Sequence, residues 1–544
     1  MRTKKLVLVY PPVAGVTSAP LGIASLKGYV EKSLPQWSVR CLDFNLRSYE
    51  KAFDLARLGR YPSGRVYREG ILGEIAFTRA GDVFRGKHDE EFYTRPDRYS
   101  LYADLLLRLM LTEVGGYEQL PAAYRGEAPM PEQIEEFAGE IAEDKPDALG
   151  ISICYNQQTW TGLCIAKRVK EKTGIPVVFG GTFFRTEGER FLNDFPESAD
   201  FVIAGEGELA LAALLSDPGK PESVPSLTWR EGGKARTNPI SLINELDDLG
   251  HPDFSDLDMR RYFSPSPVAP VLSSRGCYWR RCAFCVHYKS VGQTYRSHGM
   301  EFLINELKSR VESGIRHFSF VDEMVSPKRF QEIADAILDA GLDISYYALA
   351  KPVRQFDEGI LERMSQSGCR YLLWGLESGS QRVLDFMDKG TEVGEIQRVF
   401  RAAHAAGIIN HVFVMPGFPT ETKPELAQTL RFLENNQDVI YGVHRGLFHL
   451  MKGSPVFDDP ERFGIAKTWP AGHYLEKEWH EFECSRGMSR REAEYYYNTI
   501  LPYLSAFNVY SLSLGHFRDH ALLIYEKSSD RLRPESRRFP LVPF

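Results

Sequence analysis

Short apolar runs alternate with amphipathic stretches along most of the chain. The run Lys5–Tyr10 has the length of a buried parallel strand and is broken by Pro11-Pro12. Leu21–Lys32 then carries Leu21, Ala24, Leu26 and Val30 at helical spacing, and Ser38–Phe44 reads as a second strand. Residues 46 to about 130 are charged and aromatic, and read as an insertion. The alternation resumes with strands at Ala148–Cys154, Ile175–Gly180 and Phe201–Ala204, and helices at Thr159–Thr173, Glu187–Phe195 and Glu208–Leu215. Repeated units of this kind predict an N-terminal doubly wound (Rossmann-like) α/β domain, residues 1–238, with helices on both faces of a parallel sheet. Ligands of such sheets bind at the carboxyl ends of the strands. Here those ends are Pro12, Ser152, Gly180-Gly181-Thr182 and Gly205-Glu206-Gly207-Glu208. The pair Gly180-Gly181 has two readings, a backbone that a bulky ligand can approach or a plain tight turn.

Ser226–Asn238 reads as a hairpin turning at Gly232-Gly233. Residues 239–266, with Pro239, Pro252, Pro265 and several aspartates, read as a linker. A second alternation then begins over 267–451. Its strands are Val268–Ser274, His317–Asp322, Ile344–Ala350, Tyr371–Leu376, His411–Met415 and Val439–Leu447. The helices between them are Gly299–Ser313, Pro327–Ala340, Asp357–Ser367, Gly394–Ala406 and Lys423–Asn435. These units are too few for a closed eight-stranded barrel. Residues 452–544 leave the pattern and are expected to be mainly α, to close the barrel and to set substrate choice. Ser489–Leu514 reads as a helix in which Tyr495, Tyr496, Tyr497 and Tyr503 either wall a pocket or pack a core.

Composition narrows the function. The 544 residues allow two to four domains, and 43% hydrophobic with 26% charged residues suit a soluble globular protein. A net charge of −7 argues against nucleic acid as a partner. No apolar run reaches the roughly 18 residues of a membrane span. The apolar start stops at Pro11-Pro12, so it reads as a strand and not as a signal peptide. Scattered cysteines and no export signal predict a reducing cytoplasm.

The chemistry concentrates in Ser273–Tyr288, SSRGCYWRRCAFCVHY. Cys277, Cys282 and Cys285 stand here in C-x4-C-x2-C spacing, while Cys41, Cys154, Cys164, Cys369 and Cys484 are scattered. Three thiolates on one loop can hold three irons of a 4Fe–4S cluster and leave the fourth open to a ligand. A zinc site completed by His287 is the rival reading. The position of the loop, at the end of a first barrel strand, suits an active site.

This run, with Phe284 before its last cysteine, resembles the cluster loop of radical S-adenosylmethionine (SAM) enzymes. It departs from their usual C-x3-C-x2-C by one residue. The resemblance implies a partial (β/α)6 barrel, which agrees with the strand count. It also implies SAM on the open iron and one-electron cleavage to a 5′-deoxyadenosyl radical. Gly375-Leu376-Glu377-Ser378 matches a G-x-E-S signature of that family, in which the glutamate and serine contact SAM. Gly417–Thr422 resembles its G-x-P-x-E-T turn, and Lys389-Gly390 its K-G step. Asp322 and Glu323 either receive the SAM amino group or are helix N-terminal acids. Arg280-Arg281 reads as a carboxylate or cluster contact, or as a surface pair.

The first domain resembles cobalamin-binding domains, in which a serine and a Gly-Gly pair at strand ends hold the corrinoid tail; Ser152 and Gly180-Gly181 match them. PLGIASLKGYVE and Gly205–Glu208 resemble the subclass joined to radical SAM proteins. The D-x-H-x-x-G motif is missing, and residues 1–240 hold one histidine, His88. No histidine is therefore expected on cobalt. Together the resemblances imply a cobalamin-dependent radical SAM methyltransferase acting at an unactivated carbon or phosphorus centre. Its substrate is expected to be a small molecule or peptide, and its electron donor a flavodoxin or ferredoxin. The alternatives are radical cyclisation, ring contraction or oxidation without methyl transfer, a radical SAM enzyme that has lost cobalamin, and a non-enzymatic zinc scaffold.

Overall fold

The structure, a computed structural model, describes residues 2–57, 81–87, 93, 99, 102, 119–287, 294–499, 504 and 518–528. These fall into two units. The first holds the described residues up to Arg85 and from 119 to Phe263. The second holds those from Ser264 on, with Gly86, Lys87, Tyr93, Tyr99 and Tyr102. Most of the expected insertion lies outside the described residues.

The first unit is built on β1 (Lys4–Tyr10), β2 (Trp37–Asp43), β3 (Ala148–Ser152), β4 (Val177–Gly180), β5 (Phe201–Ile203), β6 (Leu227–Glu231) and β7 (Lys234–Thr237). They form one sheet in the order β2-β1-β3-β4-β5-β6-β7. β1 to β5 pair in parallel, and the β6–β7 hairpin is added antiparallel. Leu6, Val7, Leu8 and Val9 are all buried, as expected of a strand covered on both faces. The order reverses between β1 and β3, the place where open α/β sheets bind ligands. Gly174, at φ +69°, ends the helix Thr159–Thr173 in the left-handed conformation that glycine adopts without strain.

The stretch read as a linker is, up to Phe263, an integral part of this unit. Phe254, Leu257, Met259, Tyr262 and Phe263 are buried. Lys27 Nζ donates to Asp256 at 2.6 Å, and the Tyr262 hydroxyl to Asp43 at 2.7 Å. Burial pushes the Asp43 carboxyl up to about 6.

In the second unit β8 (Val268–Val271) is followed by the two-residue strands β9 (Ser274–Arg275) and β10 (Arg296–Ser297). Then come β11 (His317–Phe320), β12 (Ser345–Ala350), β13 (Cys369–Glu377), β14 (Ile409–Val414) and β15 (Ile440–Arg445). The six-stranded sheet runs β15-β14-β13-β12-β11-β8, with every pair parallel. This is the strand order expected of a partial (β/α)6 barrel. Strand alternation separates its faces. Trp374 packs edge-on to Phe356, on the helix-covered side. Tyr371 points the other way and stacks on Tyr347 with centroids 4.8 Å apart.

The helix Arg518–Ser528 fills that second face at the amino ends of the strands. Its Glu526 accepts from Ser345 Oγ at 2.8 Å and pairs with His317 Nε2 at 2.6 Å. Its Asp519 accepts from the Tyr347 hydroxyl at 2.9 Å, and its Tyr525 hydroxyl bonds His411 Nε2.

The C-terminal segment differs from the mainly α expectation. It adds β16 (Leu450–Met451), β17 (Ile465–Pro470) and β18 (Trp479–Cys484), an antiparallel sheet in the order β16-β18-β17. In β17 only Ile465 is buried, so no apolar alternation announced it. The expected helix Ser489–Leu514 is seen as Arg490–Thr499, and Tyr503 lies outside the described residues. Tyr495 is exposed, while Tyr497 lies under the Arg445 guanidinium, 5.0 Å from its centroid. No helix among the described residues is long and apolar enough to cross a membrane.

Candidate active site

The cysteine loop leaves β8 under tight control. Asp322, just beyond β11 and buried, accepts from Ser273 N at 3.0 Å, Ser273 Oγ at 2.7 Å and Ser274 Oγ at 2.5 Å. Burial raises its pKa, and these hydrogen bonds oppose the rise. The geometry uses Asp322 to pin the root of the loop. β9 and β10 close the loop as a short ribbon, with Arg275 opposite Arg296.

The middle of the loop is clamped on the turn Met387–Gly390. Ala283 N donates to Met387 O at 2.8 Å, Trp279 Nε1 to Asp388 O at 2.7 Å, and Arg281 Nε to Asp388 Oδ2 at 3.0 Å. The Trp279 indole lies flush on Gly390, which sits at φ +63°. A Cβ there would fall 2.0 Å from the ring. The K-G step is therefore a seat for the cysteine loop. Arg281, exposed, is a surface partner of Asp388.

None of the eight cysteines forms a disulfide, and Cys277, Cys282 and Cys285 are half-buried. Burial raises Cys282, opposed by the charges of Lys389 and Lys351. Burial and the neighbouring Cys282 push Cys285 up to about 12. Three free thiols on one clamped loop, each able to take its own iron, are the donor set of a four-iron cluster with one iron left open to a ligand.

Two buried lysines lie close enough to these thiols to act on them. Lys389 Nζ pairs with Glu377 Oε1 at 2.7 Å, the side chains being 5% and 12% exposed. The ion pair passes directly over Gly375, where a Cβ would meet Lys389 Nζ at 2.6 Å. The Glu377 backbone is left-handed, at φ +64°. Lys389 also lies 5.6 Å from the centroid of the half-buried Phe284 ring. The second cation is Lys351, one residue beyond β12 and 1% exposed. Its Nζ stands 3.2 Å from the centroid of Trp279 and is buried without a hydrogen-bond partner. Burial, and then the charge of Lys389, lower its pKa to about 7, while Cys282 and Cys277 oppose the fall.

Other signature residues support the site from behind. Ser378 is fully buried, shares a hydrogen bond with Thr429 Oγ1 at 3.2 Å and accepts from Ser380 N. Glu421 accepts from Gly417 N at 2.7 Å and closes its own turn. Burial pushes its pKa up to about 8. Glu323 is half-buried beside Asp322.

In the first unit the predicted strand ends do come together. Gly181, at φ +109°, lies against the Ile153 backbone, where a Cβ would sit 2.3 Å from the carbonyl oxygen. A Cβ on Gly180 would meet only Ile203 O, at an ordinary 3.7 Å. Ser152 is half-buried, and Thr182 is exposed with its hydroxyl donating to Cys154 O at 3.0 Å. Pro12 is buried. Gly205 takes φ +84°, whereas Glu206 turns inward and accepts from Ile243 N at 2.8 Å, holding the 239–263 stretch. Gly207 abuts Leu26. The buried Gln158 ties the two sides of the topological switch together. It donates to Pro11 O at 2.7 Å and accepts from Cys154 N at 2.8 Å. Tyr155 stands 52% exposed beside it. The described histidine of this unit, His251, sits in the 239–263 stretch and not at a strand end.

Gln158, Trp279 and Lys351 were not singled out from the sequence. A signal existed for Lys351, a lysine directly after the apolar run Tyr346–Ala350.

Comparisons with known proteins agree with both halves. The radical SAM superfamily model matches residues 271–433, and the B12 binding domain model matches residues 123–215. An uncharacterized methyltransferase of Pyrococcus horikoshii is 31% identical over 55% of this chain and 66% of its own length. The cytidylyl-2-hydroxyethylphosphonate methyltransferase of Streptomyces wedmorensis is 26% identical over 51% of this chain and 59% of its own. The chain thus spans between half and two-thirds of the length of these relatives. The solved cobalamin-dependent S-adenosylmethionine radical enzyme OxsB, with aqua-cobalamin bound, superposes with a TM-score of 0.62. It is 13% identical and covers 96% of this chain and 80% of its own, a likeness of fold.

Proposed function

We propose, from the premise that this chain belongs to the radical SAM superfamily and carries a B12-binding domain ahead of its radical SAM domain, that it is a methyltransferase acting at an unactivated carbon or phosphorus centre. The observation that carries the reading is the clamped loop of three half-buried thiols with two buried lysines close enough to act on them.

When bound, the cluster and SAM supply a 5′-deoxyadenosyl radical, methylcobalamin supplies the methyl group, and a second SAM restores it. The chain's own residues hold and orient these groups. Cys277, Cys282 and Cys285 are the cluster ligands. Asp322, through Ser273 and Ser274, fixes where the loop starts. Glu377, held in place by Lys389, offers a carboxylate to the SAM amino group, and Glu323, beside Asp322, offers a second one. Gly375 leaves room for that ion pair, and Phe284 walls the site. Ser378 sets the turn behind it. Pro12, Ser152, Gly180, Gly181, Thr182, Gly205 and Gly207 form the corrinoid cradle, with Gln158 bracing it and Glu206 holding its rim.

The electron donor is a low-potential flavodoxin or ferredoxin, and the compartment is the reducing cytoplasm. The substrate is a small molecule or peptide.

Anaerobically reconstituted chain, given cobalamin, a low-potential reductant and SAM, tests the reading. Methyl transfer to cobalt leaves S-adenosylhomocysteine, and radical cleavage leaves 5′-deoxyadenosine. Both products are expected. 5′-Deoxyadenosine alone would make it a radical enzyme without methyl transfer.

A further inference from the structure

A buried ammonium without a partner is costly unless an anion approaches it. Lys351 is in that position, 1% exposed and with its Nζ making no hydrogen bond. The nearby carboxylate of Glu377 is already engaged by Lys389. What holds Lys351 is the face of Trp279, a residue of the cysteine loop itself, between Cys277 and Cys282. An indole face is a favourable seat for a cation but does not neutralise it. The ammonium therefore has no counter-ion of its own, and the thiols of Cys282 and Cys277 favour its protonated form against the burial that disfavours it.

We propose that Lys351 is a positioning residue for the electron: its ammonium, seated on Trp279, offsets the negative charge that the site gains on reduction, and so raises the potential at which a cluster on Cys277, Cys282 and Cys285 accepts one electron. The proposal rests on the cluster reading above. Net charge and burial are among the factors that set cluster potentials. Only the electron moves, and it comes from the low-potential donor.

The experiment is a redox titration of the anaerobically reconstituted full chain, without SAM, followed by electron paramagnetic resonance and poised with dithionite. Wild type is compared with Lys351→Met and Lys351→Arg. Lys351→Met is expected to carry the same iron but to show an about tenfold lower ratio of reduced to oxidised cluster at a fixed poise, which is about 59 mV for a one-electron couple. Lys351→Arg is expected to restore most of the ratio. Should Lys351→Met take up no iron, Lys351→Gln makes the same comparison. An iron-loaded Lys351→Met with the wild-type midpoint would overturn the proposal. So would a shift that appears only when SAM is added, which would make Lys351 a ligand of the SAM carboxylate. A wild-type chain that binds no iron would instead overturn the cluster reading beneath it.

Discussion

Lys389 and Glu377 form a buried ion pair at the heart of the second unit. Removing one partner leaves the other charged, buried and alone, which costs about 3–5 kcal/mol. Lys389→Met is therefore expected to lower the thermal unfolding midpoint and to weaken SAM binding measured by calorimetry. The double change with Glu377→Met should recover much of the stability and none of the SAM binding. Glu421 predicts a pH dependence of definite sign. Its folded pKa, about 8, lies above the ordinary 4.5, so the folded chain holds a proton that the unfolded chain gives up. The stabilising contribution is complete below about pH 4.5. It is lost as pH rises toward 8, at up to about 1.4 kcal/mol per pH unit. Glu421→Gln keeps an acceptor for Gly417 N and does not titrate. Denaturation curves at pH 5 and pH 8 should therefore differ less for this variant than for wild type.

At the scale of the element, the cysteine loop is fixed by what it sits on. Gly390→Ala would force a methyl group into the Trp279 ring at a left-handed position. It is expected to abolish most iron uptake while the far-ultraviolet circular dichroism stays native. The C-terminal helix makes a second such case. Tyr525→Phe leaves the buried His411 Nε2 without its hydroxyl partner, at a cost of about 1–3 kcal/mol in denaturant unfolding. These two elements also mark where the sequence was legible. The barrel strands were readable because they are apolar runs, several of them followed by a helix with its own start signal, such as Ser326-Pro327 and Thr422-Lys423-Pro424-Glu425. The helix Arg518–Ser528 was not readable. Its role depends on Asp519, Tyr525 and Glu526 meeting side chains far away in sequence, among them Tyr347, His411 and Ser345. No local period encodes such pairings. The same holds for Lys351 and Trp279, which are distant in sequence and touch only in the fold.

For the whole molecule, the strand–helix rhythm was enough to separate a doubly wound unit from a partial barrel, and the cysteine spacing pointed to the chemistry of the second. The boundary between them was less legible. Pro239, Pro252 and several aspartates look like a linker, yet Lys27–Asp256 and Tyr262–Asp43 bind that stretch to the first unit. The roles of individual cofactor contacts were only partly legible, because a carboxylate at a strand end reads alike whether it meets a ligand, as assigned to Glu377, or pins a loop, as Asp322 does. Whether one chain carries both cofactors is decided by metal analysis of protein purified without oxygen and supplied with cobalamin. About four irons and one cobalt per chain are expected, with a cobalt resonance free of histidine nitrogen coupling, since no strand end described in the first unit carries a histidine. Iron without cobalt would remove methylcobalamin from the reaction, and zinc in place of iron would leave no radical enzyme.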